Sequence, residues 1–161
     1  MMFQIAPLQS EHKEPIRTLL FETGAFRPDE IEVAMELIDD TLARHGVLLP
    51  EDYHIFVALD EPNVLGYVCF GKTPMTLSTF DLYWIAVSPQ VQGKGVGRAL
   101  FDFACKEARA MGGALLVIET ASQPKYEPTR KFYEKVGCTL EARIKNFYSI
   151  GDDKLIYTKA L

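Results

Sequence analysis

The order of apolar periods along this 161-residue sequence predicts a single α/β domain of the α+β kind, one mixed sheet covered by helices in the order β-α-α-β-β-β-α-β-α-β-β. Three observations carry that prediction. Strand-length apolar runs are interleaved with stripes that recur at three and four residues. The chain is long enough to bury one core and leaves no room for a second domain. The apolar run ending Ile85-Ala86-Val87 passes through a glycine-spaced basic loop directly into a helical stripe.

Taken in order, Phe3 to Pro7 alternates as a short strand does, and Ser10 offers a helix cap. Glu11 to Phe21, with Pro15 near its start and Ile16, Leu19 and Leu20 on one face, reads as the first helix, ended by Gly24. Pro28-Asp29-Glu30 opens a second, whose face is Ile31, Ala34, Met35, Ile38 and Leu42 and whose stop is Gly46. Tyr53 to Leu59 and Val64 to Phe70 form a hairpin about Asp60-Glu61-Pro62-Asn63. Thr79 to Val87 is the next strand, and simple alternation puts Asp81, Tyr83, Ile85 and Val87 on one face and Leu82, Trp84 and Ala86 on the other. Val96, Ala99, Leu100, Phe103, Ala104 and Ala108 make the third helical stripe, closed by Gly112-Gly113. Ala114 to Ile118 is a buried strand with Glu119-Thr120 at its end, and Pro128 to Gly137 a short helix. Two last strands, near Thr139 to Phe147 and Lys154 to Lys159, flank a turn in which Asp152 and Asp153 read as solvated acids in preference to groups that attract a cationic amine.

Composition excludes several classes of function. A net charge of −5 argues against general nucleic-acid binding, which needs a basic face, but it is compatible with a cationic small partner. No run approaches the roughly 20 apolar residues of a membrane span, and the first residues carry no basic leader, so a cytoplasmic protein away from membranes is expected. Cys69, Cys105 and Cys138 are widely spaced and read as reduced thiols. His12, His45 and His54 lack zinc-ligand spacing and read as solvated or capping residues, so no metal is expected.

The loop Gln92-Gly93-Lys94-Gly95-Val96-Gly97-Arg98 is an anion cradle: glycines let backbone N–H groups converge, and the helix that follows adds positive dipole character. A nucleotide-binding Walker loop would need Ser or Thr after Lys94, where Gly95 stands. A dinucleotide fingerprint would need a different glycine spacing near the start of the chain. Gln92-x-x-Gly95-x-Gly97 after Ile85-Ala86-Val87-Ser88-Pro89 instead resembles the acetyl-CoA pyrophosphate loop of the GNAT superfamily of N-acetyltransferases. Arg130-Lys131-Phe132-Tyr133-Glu134-Lys135-Val136-Gly137-Cys138 is similar to that superfamily's R-x-F-Y-E-K-x-G-F helix, and the element order agrees over essentially the whole chain.

The resemblance implies a mostly antiparallel sheet whose two central parallel strands splay apart, and acetyl-CoA as co-substrate. Its pantetheine arm would pair with the backbone of Ile85, Ala86 and Val87, and its pyrophosphate would sit on Gln92, Gly93, Lys94, Gly95, Val96, Gly97 and Arg98, with Arg130 and Lys131 adding charge nearby. Amide formation from a thioester needs a neutral amine, a stabilised oxyanion and a protonated leaving thiol. Tyr133 matches the superfamily's thiolate-protonating tyrosine, and Asp81 and Glu119 are rival candidates for the base. Tyr126 and Thr129 depart from the asparagine and alanine usual there. Glu22, Thr23, Phe26, Arg27 and Tyr148 are expected to wall the acceptor pocket. The acceptor the resemblance implies is a primary amine of a small molecule, peptide or protein; a homodimer is compatible with it. The alternatives are a non-catalytic acyl-CoA-binding or sensing module on the same fold, and an interaction protein with a vestigial loop.

Overall fold

The computed structural model describes all residues except His45, whose reading above lies outside the described residues. The expected order holds: β1 (Gln4–Pro7), α1 (Lys13–Glu22), α2 (Pro28–Ala43), β2 (His54–Asp60), β3 (Asn63–Lys72), β4 (Thr79–Val87), α3 (Val96–Ala110), β5 (Leu115–Ala121), α4 (Glu127–Lys135), β6 (Thr139–Ser149) and β7 (Asp152–Ala160). Single 3-10 turns precede α1, α3 and α4. The first is entered from Gln9 rather than capped by Ser10, the Gln9 N–H donating to His12 Nδ1 at 2.9 Å. Among the described residues no helix is long and apolar enough to cross a membrane.

The seven strands form one sheet in the order β1-β2-β3-β4-β5-β7-β6. Every pairing is antiparallel except β4 with β5, which runs parallel from Thr79↔Leu115 to Leu82↔Ile118 and then stops. Beyond that point β4 stays on β3 and β5 stays on β7, so Tyr83–Val87 and Glu119–Ala121 diverge into a fork. Gly66 permits the close approach of β3 to β4 beside the fork: a Cβ there would stand 2.7 Å from the Ala86 carbonyl oxygen.

Two apolar cores sandwich the sheet. On one face Phe70, Phe80, Leu82, Leu116 and Ile118 pack with Leu100, Phe101 and Ala104 of α3 and Tyr133 of α4. On the other, Ile55, Val57, Tyr67, Cys69 and Ala86 pack with Ile16 and Leu20 of α1 and Met35 and Ile38 of α2. Burial of these side chains, not helix propensity, holds helices of this length in place.

Simple alternation fails in β4. Cys69 pairs with Trp84 and Phe70 with Leu82, leaving Tyr83 as the extra residue of a β-bulge. The bulge resets the phase. Phe80, Leu82, Ile85 and Val87 meet the α3 core, whereas Trp84 and Ala86 meet the α1–α2 core. Tyr83 turns to the latter side, its ring 5.3 Å from that of Tyr53. The expected grouping of Asp81 with Ile85 and Val87 is therefore corrected.

Candidate active site

The fork opens onto a cleft of about 470 Å³, within the usual range for small-molecule sites. Its floor is Ile85, Ala86 and Val87; Gln92, Gly93 and Gly97 close one end. Thr23, Ala25 and Phe26 from the α1–α2 loop and Lys125, Pro128, Thr129 and Phe132 from α4 and its approach form the walls. Because β5 has left β4, the backbone edge of Tyr83–Val87 toward the cleft has no strand partner. An extended chain carrying amides can add to such an edge.

The glycine loop is built as the sequence indicated, with a division of labour among its glycines. Gly93 and Gly95 have φ of +77° and +87°, the left-handed region that other residues avoid. Gly95 is the N-cap of α3, so the first N–H groups of that helix point out of its end without intrahelical partners. Gly97 plays a different part. Its Cα faces the cleft between Val87 and Phe132, and an added Cβ would touch both, at 3.4 and 3.5 Å. Lys94 is exposed, and Arg98 lies 3.6 Å from Asp102 one turn along.

The rest of the expected basic patch is engaged elsewhere. Arg130 Nη1 donates to the carbonyls of Ala121 and Gln123, at 3.0 and 2.9 Å, pinning the chain as it leaves β5. Lys131 pairs with Glu127 at 3.2 Å. Lys125, which sequence reasoning missed, lines the cleft instead. Only its neighbourhood in three dimensions reveals it.

The catalytic candidates occupy three distinct settings. Tyr133 is buried behind the cleft wall, its ring 5.7 Å from Phe132 and 5.8 Å from Tyr157, and burial pushes its phenol above the ordinary tyrosine value. Glu119 is the first residue of β5 past its last pairing with β4, half exposed, with Oε2 2.8 Å from Lys154 Nζ. Asp81 lies below the fork, opposite Val117, where β4 and β5 are still paired. Its Oδ2 accepts from Thr73 Oγ1 at 2.7 Å.

Of the expected wall residues, Thr23 and Phe26 line the cleft, and Phe26 rests against Trp84 at 5.2 Å. Glu22 borders a neighbouring groove with Glu14 and Asp60. Arg27 is held by Asp29 at 3.1 Å. Tyr148 stands half exposed on the β6–β7 hairpin. Tyr126, the departure from the superfamily pattern, reaches across and donates its hydroxyl to the Ala25 carbonyl at 3.0 Å.

Two expectations about polar residues are overturned. Asp152 and Asp153 are buried, not solvated. Asp153 Oδ1 accepts from the Asn146 N–H at 2.8 Å and Oδ2 from Arg143 Nε, which holds the carboxyl below the ordinary aspartate value. His54 is likewise buried, with Nε2 2.9 Å from the Leu49 carbonyl. No group of three or more metal-ligating side chains occurs among the described residues.

Comparison with known proteins decides the family. Residues 51–137 match the family model described as an acetyltransferase (GNAT) domain. The chain belongs to the GNAT family of acetyltransferases. A crystal structure from Desulfovibrio desulfuricans, assigned to GNAT, is 41% identical and superposes with a TM-score of 0.92 over 99% of both chains. More distant GNAT-like folds include a ribosomal-protein alanine N-acetyltransferase of Escherichia coli, at 22% identity, TM-score 0.74 and 99% and 94% of the two chains. Another is an aminoglycoside 6′-N-acetyltransferase complexed with coenzyme A, at 16% identity, TM-score 0.75 and 98% and 96% coverage. At those identities the likeness is one of fold. No curated protein matches the sequence significantly.

Proposed function

We propose that this GNAT protein is an N-acetyltransferase that passes the acetyl group of acetyl-CoA directly to a primary amine of a small molecule, peptide or protein. The observation that carries the reading is the fork: β4 and β5 separate after Leu82 and Ile118, and the cleft along the freed β4 residues Ile85 to Val87 ends at the open N–H groups of α3. Pyrophosphate at Gly93–Arg98 and pantetheine along Ile85–Val87 would bring the thioester to the point of separation.

The chemistry then follows from the neighbours. The amine arrives as ammonium, with a free pKa of ~10.4, and loses a proton to Glu119, directly or through water. Its nitrogen attacks the thioester carbon, a backbone N–H near Val87 stabilises the oxyanion, and the C–S bond breaks as the nitrogen sheds its second proton to solvent. Tyr133 supplies the proton to the leaving thiolate, and its raised pKa keeps the phenol protonated at working pH. Position favours Glu119 over Asp81 as the base: Glu119 stands at the fork, whereas Asp81 accepts from Thr73 below it. In this reading Asp81 secures the β3–β4 turn.

One observation favours the runner-up, a non-catalytic acyl-CoA-binding module: Lys154 already neutralises Glu119. Thiol release from acetyl-CoA separates the two, assayed with amines, polyamines, aminoglycosides and lysine peptides against a control without acceptor. Acceptor-dependent release supports the transferase, and Tyr133→Phe should then lower kcat on the order of 10²-fold while leaving acetyl-CoA affinity nearly unchanged. A thermal shift with acetyl-CoA but no release with any acceptor would favour the binding module.

A further inference from the structure

A second hollow, larger than the cleft at about 680 Å³, takes no part in acetyl transfer as read above. It is a groove between α1, the β2–β3 turn and the segment that joins β4 to α3. Its helical wall follows from spacing: Glu14, Thr18 and Glu22 recur every four residues of α1 and share one face, with Leu19 beside them. Asp60, Val64 and Leu65 stand on the hairpin side. The Ser88 N–H donates to the Leu65 carbonyl at 2.8 Å, which fastens the third wall to the second. Val91 lines the groove and Gln92 the cleft, just as Glu22 and Thr23 do, so the two hollows adjoin along two short segments.

The groove has an apolar floor and an acidic rim. Leu19 and Leu65 are buried and Val64 and Val91 half-buried, whereas Glu14, Glu22 and Asp60 are exposed. Among the described residues no lysine, arginine or histidine lines it. Arg17 reaches Glu14 at 3.3 Å, but it is shared with Glu32 of α2, and an exposed pair of this kind is weak. Such a lining is complementary to a ligand with cationic heads on aliphatic stems. The spacing of the acids decides its length. Glu14 and Glu22 are about 12 Å apart along α1 at ~1.5 Å per residue. The three acids are not gathered as the ligands of one metal ion. A single cation therefore meets one of them at a time. In an extended peptide, residues four positions apart are separated by about 13 Å at ~3.3 Å per residue, so cationic side chains at alternate positions span the rim from Glu14 to Glu22 and leave one for Asp60 across the groove.

We propose that this groove docks a basic peptide segment of a partner protein, extended along α1, with its cationic side chains on Glu14, Glu22 and Asp60 and their stems on Leu19, Val64 and Leu65. The segment is held beside the cleft and gives up no amine to it, so arginine serves there as well as lysine. The inference stands apart from the acetyltransferase reading, because none of these residues takes part in the chemistry described above. The acidic balance of the chain favours the approach of such a partner.

The test uses the full chain and two matched probes: an N-acetylated, C-amidated pentapeptide alternating arginine with leucine, and the same peptide with citrulline for arginine, which keeps the shape and removes the charge. Neither carries a primary amine, so neither can report the acceptor site. Both are titrated by calorimetry and by backbone amide resonances, with and without saturating coenzyme A. The arginine peptide should bind about tenfold more tightly, as three exposed ion pairs allow, and should shift Thr18, Asn63 to Leu65, Ser88, Gln90 and Val91. Combining Glu14→Gln, Glu22→Gln and Asp60→Asn, all at exposed positions, should bring the two affinities together. Glu36→Gln, an exposed α2 acid outside the groove, should leave the preference intact. No binding, equal affinities in the wild type, a preference that survives the triple variant or falls as far in Glu36→Gln, or displacement of the peptide by coenzyme A would each overturn the docking site.

Discussion

The Tyr126 hydroxyl donates to the Ala25 carbonyl at 3.0 Å and so joins segments 101 positions apart in the chain. Ala25 belongs to the α1–α2 loop and Tyr126 to the turn before α4, and residues next to each, Phe26 and Lys125, wall the same cleft. The bond is a strap across the fork. Tyr126→Phe should lower stability by about 1 kcal/mol, the ordinary net value of such a bond, and should raise the acceptor KM several-fold. Thermal melts and steady-state kinetics check this, and unchanged values for both would remove the strap.

Two glycines of the loop should respond in opposite ways. Gly95→Ala meets no atom within 4 Å but forces alanine to a φ of +87°, at a conformational cost of about 1 kcal/mol in stability. Gly97→Ala makes only ordinary contacts with Val87 and Phe132 and should melt close to the wild type, yet it narrows the cleft. Acetyl-CoA titration should show about a tenfold loss for Gly97→Ala. Loss of stability without loss of affinity in that variant would contradict its place in the cleft.

The depressed carboxyl of Asp153 links stability to pH. A group whose folded pKa is lowered stabilises the fold above its unfolded value, near 3.9, and that contribution disappears as pH falls through the lower folded value. Asp153→Asn should therefore melt below the wild type at neutral pH, with the gap closing once both carboxyl forms are protonated in acid. A gap of constant size down to pH ~2 would show that the variant acts through packing instead.

The three cysteines are buried and unpaired, and burial raises each thiol, Cys138 to about 11. Reaction with a thiol reagent requires thiolate and access, so all three should be silent at pH 8 in the folded protein and appear on denaturation. Rapid titration of any one without unfolding would contradict its placement in the core.

Much of this was legible in the sequence because it rests on short-range periodicity and on residues with special backbone needs. Helical stripes such as Val96 to Ala108 identify a buried face without reference to the rest of the chain, and Gly93-x-Gly95 announces left-handed turns. What stayed hidden depends on partners far away in sequence. The bulge at Tyr83 is set by pairing with Cys69 and Phe70, so alternation within β4 alone assigns the wrong face to half the strand. Arg130 looks like a phosphate ligand until the carbonyls of Ala121 and Gln123 turn toward it. Asp152 and Asp153 look like turn residues because their covering groups, Gln123, Arg143 and the Asn146 N–H, come from other segments.

The central claim, that acetyl-CoA lies in the fork with its pyrophosphate on the glycine loop, is tested most directly by following backbone amide resonances of the labelled protein during acetyl-CoA titration. The largest shifts should fall on Gly93 to Arg98 and on Ile85 to Val87, with β1 and β2 nearly still. Saturable binding that leaves both stretches unmoved would place the ligand elsewhere and contradict the account.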